Sequence, residues 1–119
     1  MKLEQMKQAA IEALEDVKGR DVVVLDTIGL SSLFDCMIIA SGDSTRQTKA
    51  MANRVQDRLK ALGASVLGVE GERDGDWILV DLGTVIVHIM HPATRAYYNL
   101  EELWGPQYLP AARRQAAAT

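Results

Sequence analysis

The chain has 119 residues, enough for one domain with its own hydrophobic core and too few for two. Hydrophobic residues make up 48% of it and charged residues 24%, proportions that are typical of globular domains and exclude an intrinsically disordered chain. The net charge of −3 argues against a nucleic-acid-binding protein, because such domains usually carry a basic surface. A mildly acidic domain instead favours a basic protein partner.

The composition also indicates the compartment. Cys36 is the single cysteine, so an intrachain disulfide is excluded and a reducing environment is expected. No run of residues approaches the ~18 consecutive apolar residues of a membrane span. Acidic residues are scattered through positions 1–16, a composition that secretory and organelle-targeting peptides avoid. We therefore expect a soluble protein in the cytoplasm.

The first third of the chain predicts one helix and two strands. Apolar residues at helical spacing over 2–18 predict an amphipathic helix, and Gly19 is the expected left-handed residue that stops it. The β-branched run at 21–26 predicts a strand, and the apolar run at 36–41 predicts a second, buried one.

The middle of the chain contains the best-specified helix. Ser44 and Gln47 have the spacing of a capping box, and Gly63 supplies a stop signal at the other end. The predicted apolar face of this helix consists of Thr48, Met51, Ala52, Val55, Leu59 and Leu62. A third strand is predicted at 64–69.

The last third predicts a β-hairpin followed by helix. Runs at 77–80 and 84–90 read as strands, and the segment between them is short enough to be a hairpin turn. Pro92 is favoured at the first position of a helix, and Asn99 indicates a second cap, so we expect a short, broken helix pair.

The order of these elements, αββαβββα, predicts one α/β (α+β) domain with a mixed five-stranded sheet and flanking helices. We place this domain at residues 1–104. Residues 105–119 contain two prolines and an alanine run without an apolar stripe, so a disordered C-terminal tail is expected there.

Two histidines raise the question of a metal site. His88 and His91 are three residues apart, but His88 lies in a predicted strand, where side chains alternate between faces. The two imidazoles would therefore point to opposite sides of the sheet. We predict no metal ligands, and a structural role for His91 at the entry to the last helix.

The Gly-Asp-Ser turn at 42–44 is a second candidate, because backbone amides at a helix start can hold a phosphate, as in nucleotidyltransferases. That chemistry needs paired carboxylates to hold two metal ions. The downstream strands offer only Asp81, with Leu79 and Gly83 at the partner positions. A buried Cys36 would be inert as a nucleophile. We predict no catalytic residue, no cofactor and no enzymatic activity.

The predicted hairpin is the remaining candidate for a functional site. If Leu82 and Gly83 form its tip, Leu79 faces Ile86 and Trp77 faces His88. One side is then uniformly aliphatic and is the expected core face. The other side is amphipathic and consists of Trp77, Leu79, Asp81, Thr84, Ile86, His88 and Met90. This composition fits a protein interface, and it fits equally a face covered by another helix; spacing alone leaves both interpretations open.

Several motifs resemble the ribosomal silencing factor family, also called the Iojap or RsfS family. They are Asp35-Cys36, Ser41-Gly42 with Arg46-Gln47, Glu70-Gly71-Glu72, Trp77, Asp81-x-Gly83, His88 and Tyr98-x-Leu100-Glu101-x-Leu103-Trp104. The resemblance covers about residues 3–104. It implies a nucleotidyltransferase-like topology that lacks the catalytic carboxylates.

The resemblance also implies a function. Members of the family bind the large-subunit ribosomal protein numbered fourteen, block association with the small subunit and repress translation under nutrient limitation; organellar members act in large-subunit assembly. A vestigial nucleotide-handling enzyme is the alternative. We expect no small-molecule substrate and no membrane contact. An exposed apolar face is compatible with a homodimer of the free protein, and the sequence leaves its oligomeric state open. The predicted partner-binding residues are Trp77, Leu79, Asp81, Ile86, His88, Met90 and Tyr98.

Overall fold

The computed structural model describes residues 1–104, and the predicted tail at 105–119 lies outside the described residues. The elements in chain order are α1 (Leu3–Asp16), β1 (Arg20–Asp26), β2 (Cys36–Ser41), α2 (Thr45–Ala61), β3 (Gly68–Glu70), β4 (Trp77–Asp81), β5 (Val85–Met90), α3 (Pro92–Tyr98) and α4 (Leu100–Leu103). The predicted order of helices and strands is confirmed, including the break between the two last helices.

The strands form one five-stranded sheet in the order β1-β2-β5-β4-β3. β2 and β5 are parallel, and the other neighbouring pairs are antiparallel. The parallel pair requires a long crossover, which α2, β3 and β4 provide. The fold is therefore an α+β domain with a mixed sheet, as predicted.

The end of α1 differs from the sequence prediction. Lys18, not Gly19, takes the left-handed conformation, with φ 66°. Gly19 is needed for a different reason: a Cβ atom there would lie 2.8 Å from both the Leu14 carbonyl oxygen and the Met51 Cε atom. The glycine lets the end of α1 lie against α2, and the expected left-handed stop is wrong by one residue.

The two ends of α2 follow the prediction more closely. Ser44 Oγ accepts a hydrogen bond from the Gln47 backbone amide at 3.1 Å, and Gly63 adopts φ +91° just after the helix. The predicted strand at 64–69 is shortened to β3, because the Ala64 amide still donates to the Leu59 carbonyl in the last helical turn. Leu62 is half exposed, so its assignment to the apolar face is wrong.

Both long helices pack on one face of the sheet. Their apolar side chains and the inward side chains of three strands, β2, β4 and β5, form the main core, which includes Leu14, Ile38, Met51, Val55, Leu59, Ile78, Val80, Val85, Val87 and Ile89. We call this side of the sheet the covered face. Each of these ten side chains has no measurable solvent exposure. The aliphatic side of the hairpin is thus the core face, as predicted.

The register of the hairpin differs from the predicted one. Leu79 pairs with His88 and Trp77 pairs with Met90, a shift of two residues. The Leu82 amide donates to the Val85 carbonyl, so the turn between this pair has two residues, Gly83 and Thr84, of which only Gly83 takes positive φ, at +89°. The predicted turn, with Leu82 and Gly83 at its tip, would have required a left-handed leucine. Since a two-residue shift preserves strand alternation, the predicted division of the strand residues between faces still holds. Thr84, which was assigned to the amphipathic side, is the exception: it lies in the turn, and its Oγ1 donates to Met6 Sδ of α1, on the covered face, at 3.6 Å.

Candidate protein-docking site

The second face of the sheet, which we call the open face, is only partly covered. α3 and α4 pack over one end of it, where a small second core consists of Leu25, Met37, Ile39, Met90 and Leu100. Met90 was predicted to contact a partner, but it has no solvent exposure in this structure. That assignment is corrected: Met90 supports the sheet beneath the helices and is not available to a partner.

The rest of the open face forms a depression with a volume of about 620 Å³, which we call the groove. Leu79 from β4 and Ile86 and His88 from β5 form its floor. The loop between β1 and β2 contributes Leu33 and Phe34 to one wall. The groove is thus built on the sheet and bordered in part by the loop between β1 and β2.

The other walls come from distant parts of the chain. Leu100 lies in α4 and Trp104 directly follows it, and both line the groove. The rings of Trp104 and Phe34 pack edge to face, with centroids 5.5 Å apart. Leu67 lies at the opposite side, next to β3. Two carboxylates, Glu70 and Asp81, add negative charge to this apolar depression.

The rim is unusually apolar for a surface exposed to water. The side chains of Leu33 and Leu67 are 83% and 66% exposed, although both line the groove. Contiguous exposed apolar surface with a polar edge is the pattern of a docking surface in a monomeric domain. The spatial grouping of these two leucines with the hairpin could not be read from the sequence, because they come from separate loops.

Trp77 is held at the edge of the open face by two contacts. Its Nε1–H donates a hydrogen bond to His88 Nδ1 at 2.9 Å. Its ring packs against Tyr98 of α3, with centroids 4.8 Å apart. The side chain is half-buried, so it both joins the hairpin to α3 and offers part of an indole to the surface. Tyr98 is exposed at the same edge.

His88 is nearly enclosed in the floor, and its surroundings fix its charge. Burial lowers the pKa of His88 to about 4, because the charged imidazolium is poorly solvated there. The ring is therefore neutral at pH 7. On the covered face, burial raises the pKa of the Cys36 thiol to about 11, so this sulfur is a protonated, weakly reactive core group.

An ionic anchor fixes α3 and α4 over the sheet. Arg95 Nε donates to Glu101 Oε1 at 2.6 Å. Its Nη1 donates to the Asp21 carbonyl oxygen at 2.7 Å and to Ser41 Oγ at 2.9 Å. The guanidinium thus ties both short helices to β1 and β2 and sets the position of the α4 wall. Sequence reasoning missed Arg95 because its partners lie far apart along the chain.

The candidate catalytic groups are used structurally. Ser44 caps α2, and Asp43 pairs with Arg20. His88 lines the groove, whereas His91 is the N-cap residue of α3, without a side-chain capping hydrogen bond, and its Nδ1 lies 3.7 Å from an Asp76 carboxylate oxygen. Within residues 1–104, no three His, Cys, Asp or Glu side chains are grouped closely enough to hold a metal ion. No helix in this range is long and apolar enough to span a bilayer.

The comparisons with known proteins agree with the motifs. The family model described as "Ribosomal silencing factor during starvation" matches residues 1–118. A ribosomal silencing factor from Chromobacterium violaceum is 54% identical over 107 residues, which cover 90% of this chain and 88% of that protein.

Two further comparisons, one with a solved structure and one with a mouse protein, agree with this family match. A crystal structure of a Chromobacterium violaceum protein matches with a TM-score of 0.88 and 52% identity, covering 93% of this chain and 92% of that one. A mouse protein named for mitochondrial assembly of the large ribosomal subunit is 33% identical over 79% of this chain and 42% of its own length. The chain belongs to the ribosomal silencing factor family.

Proposed function

We propose that this protein binds the large ribosomal subunit by docking the groove on its protein numbered fourteen, and that it thereby blocks joining of the small subunit. The observation that carries the proposal is the groove itself: an open apolar floor of Leu79 and Ile86, bordered by exposed leucines, on a domain whose other sheet face is fully buried. Such a surface is expected to have a protein partner.

Charge supports the class of partner. Glu70 and Asp81 line the groove, and the whole chain has a net charge of −3. Ribosomal proteins are generally basic, and complementary charge accelerates encounter and orients the two surfaces. Buried apolar contacts at the floor then supply most of the affinity, as in other interfaces with a central anchor and a polar rim.

The mechanism is steric and needs no chemistry. A bound domain on the face of the large subunit that meets the small subunit occupies the space that the small subunit requires. Fewer subunits then join, and translation falls, which suits a response to nutrient limitation in the cytoplasm. The same binding event also provides a role in large-subunit assembly, the process for which the mouse relative is named.

The free protein has a second use for the same surface. We propose that two copies associate through their grooves when no ribosome is present, since this buries the exposed leucines of the rim. Such a homodimer and the ribosomal complex are mutually exclusive. Dilution at a fixed subunit concentration should therefore lower the fraction of the protein that is dimeric and raise the fraction of the protein that is bound to the large subunit.

Sedimentation of purified subunits tests the mechanism. Excess protein should reduce the amount of full ribosome, and the protein should migrate with the large subunit alone. Leu79→Asp places a charge on the half-buried floor and should abolish both effects, whereas Leu62→Asp, on the exposed end of α2, should abolish neither. Migration of the wild type with the small subunit would contradict the proposal.

A further inference from the structure

The floor of the groove contains one polar group among apolar neighbours, the imidazole of His88. Trp77 Nε1 carries a hydrogen and can only donate, so the nitrogen that it contacts, His88 Nδ1, must be an acceptor. In a neutral imidazole the single ring proton then lies on Nε2. The tryptophan therefore fixes the tautomer of the histidine.

The Nε2–H group has no acceptor of its own in the part of the chain that the structure describes. Within residues 1–104, the one side-chain nitrogen or oxygen that is both sealed from solvent and unpartnered is His91 Nε2. His88 Nε2 is not sealed, although the whole residue is only 6% exposed, and the ring lines the groove. The donor thus lies at the floor of the groove, on a residue that is almost fully buried.

We propose that His88 Nε2–H determines which segment the groove accepts, by donating a hydrogen bond to a neutral carbonyl oxygen of the docked partner. The proposal rests on the proposed docking function and specifies the chemistry of the ligand. A carboxylate is disfavoured as the acceptor, because Glu70 and Asp81 already line the same groove. A backbone or amide carbonyl satisfies the donor without adding negative charge.

The discrimination follows from desolvation. A partner that covers the floor removes the water now available to Nε2–H, and a buried donor without an acceptor is unfavourable. A segment of the same shape without the carbonyl should bind at least about tenfold more weakly, the ratio that corresponds to ~1.4 kcal/mol. Apolar contacts of the floor leucine and isoleucine alone could not distinguish a segment with the carbonyl from one without it.

The tautomer can be measured on the wild type by long-range ¹H–¹⁵N correlation spectra of the histidine rings at pH 7. We expect a protonated Nε2 and an unprotonated Nδ1 for His88, both free and in complex with the isolated ribosomal protein numbered fourteen. Binding should slow the exchange of the Nε2 proton with water. A proton on Nδ1, or unchanged rapid exchange in the complex, would overturn the inference.

Variants test the donor. His88→Gln keeps an acceptor and a donor, and His88→Leu removes both. Affinity for the same ribosomal protein, corrected for the folded fraction by thermal melts, should fall about tenfold for His88→Leu and less than about threefold for His88→Gln. If His88→Leu does not fold, the wild-type exchange measurement decides the question.

The two proposals fail in different ways. If Leu79→Asp abolishes binding and His88→Leu binds as tightly as the wild type, docking stands and the role of His88 is wrong. If the wild type does not bind this ribosomal protein at all, both are wrong.

Discussion

The two faces of the sheet are built from the same strands and have different surroundings. On the covered face, Ile78, Val80 and Val87 have no solvent exposure. On the open face, Leu79 and Ile86, their neighbours in sequence, are half-buried and line the groove. Adjacent residues of one strand thus have different roles, because strand alternation assigns them to opposite faces.

The difference follows from the lengths of the covering helices. α1 and α2 have 14 and 17 residues and cover one face, whereas α3 and α4 have 7 and 4 and cover only one end of the other. The uncovered remainder exposes apolar side chains. Substitutions on the covered face should therefore change stability, and substitutions in the groove should change binding.

The largest expected effect is on the covered face. Leu59 of α2 has no exposure, and Leu59→Ala should lower the free energy of unfolding by about 2–5 kcal/mol through lost burial and a cavity. Leu62→Ala is the matched control, since this leucine follows the same helix but is 52% exposed, and it should cost less than about 1 kcal/mol. Urea denaturation measures both, and similar losses would contradict the assignment of the buried face.

Acid should destabilise the folded domain through His88, the histidine of the open face. The pKa of His88 is lowered from 6.5 to about 4 by burial, so the unfolded chain binds a proton before the folded one does. Stability is then complete above pH 6.5 and falls as the pH drops toward 4, by roughly 3 kcal/mol in total from this group.

The control for this pH dependence is His88→Gln, which cannot titrate. The difference in unfolding free energy between wild type and variant should shrink as the pH falls from 7 to 4. This difference isolates His88 from the carboxylates and from His91. A constant difference across that range would mean that His88 is not held neutral by burial.

Trp77→Ala should change both the stability of the domain and its affinity for the partner, whereas substitution of a fully exposed interface residue would change affinity alone. The indole is half-buried, hydrogen-bonded to His88 and packed on Tyr98, so we expect a stability loss of about 1–2 kcal/mol. Trp77 does not itself line the groove, but it holds His88, which does, and part of its indole is exposed beside it. Affinity for the large subunit should therefore fall about thirtyfold, which corresponds to an interface hot spot of ~2 kcal/mol.

Val87→Ala, on the covered face, should show the opposite balance. Its side chain is fully buried against the helices, so the melting temperature should fall while the affinity of the folded fraction stays unchanged. If Trp77→Ala unfolds the domain and Val87→Ala abolishes binding, the roles of the two faces are reversed.

Local patterns in the sequence predicted much of this arrangement. Period-two alternation assigned Val80 and Leu79 to different faces, and that division holds even though the hairpin register was wrong by two residues. The register failed because the turn consists of Gly83 and Thr84, closed by the hydrogen bond from the Leu82 amide to the Val85 carbonyl, whereas the prediction placed Leu82 and Gly83 at its tip. Periodicity is a property of one strand, whereas register depends on two.

Contacts between distant segments explain what the sequence left open. Met90 was predicted to face a partner, but Leu100 of α4 packs in the same cluster and helps to bury it. Arg95 bonds to Asp21 and Ser41, residues more than fifty positions away, and so fixes where α4 lies. The sequence showed that a helix pair exists there and could not show how much of the open face it covers.

The smallest expected change in stability lies at the rim. Leu33→Ser should change the free energy of unfolding by less than about 0.5 kcal/mol, because the side chain is 83% exposed. It lines the groove, so a bound partner should bury it, and its loss should weaken binding about fivefold, equivalent to ~1 kcal/mol.

Ile28→Ser is the matched control for this substitution. Ile28 lies in the same loop between β1 and β2 and is 61% exposed, but it does not line the groove. The melting temperature of Ile28→Ser and its affinity for the large subunit should both equal those of the wild type. Equal weakening by the two substitutions would mean that the partner contacts the whole loop, so the interface would extend past the groove wall.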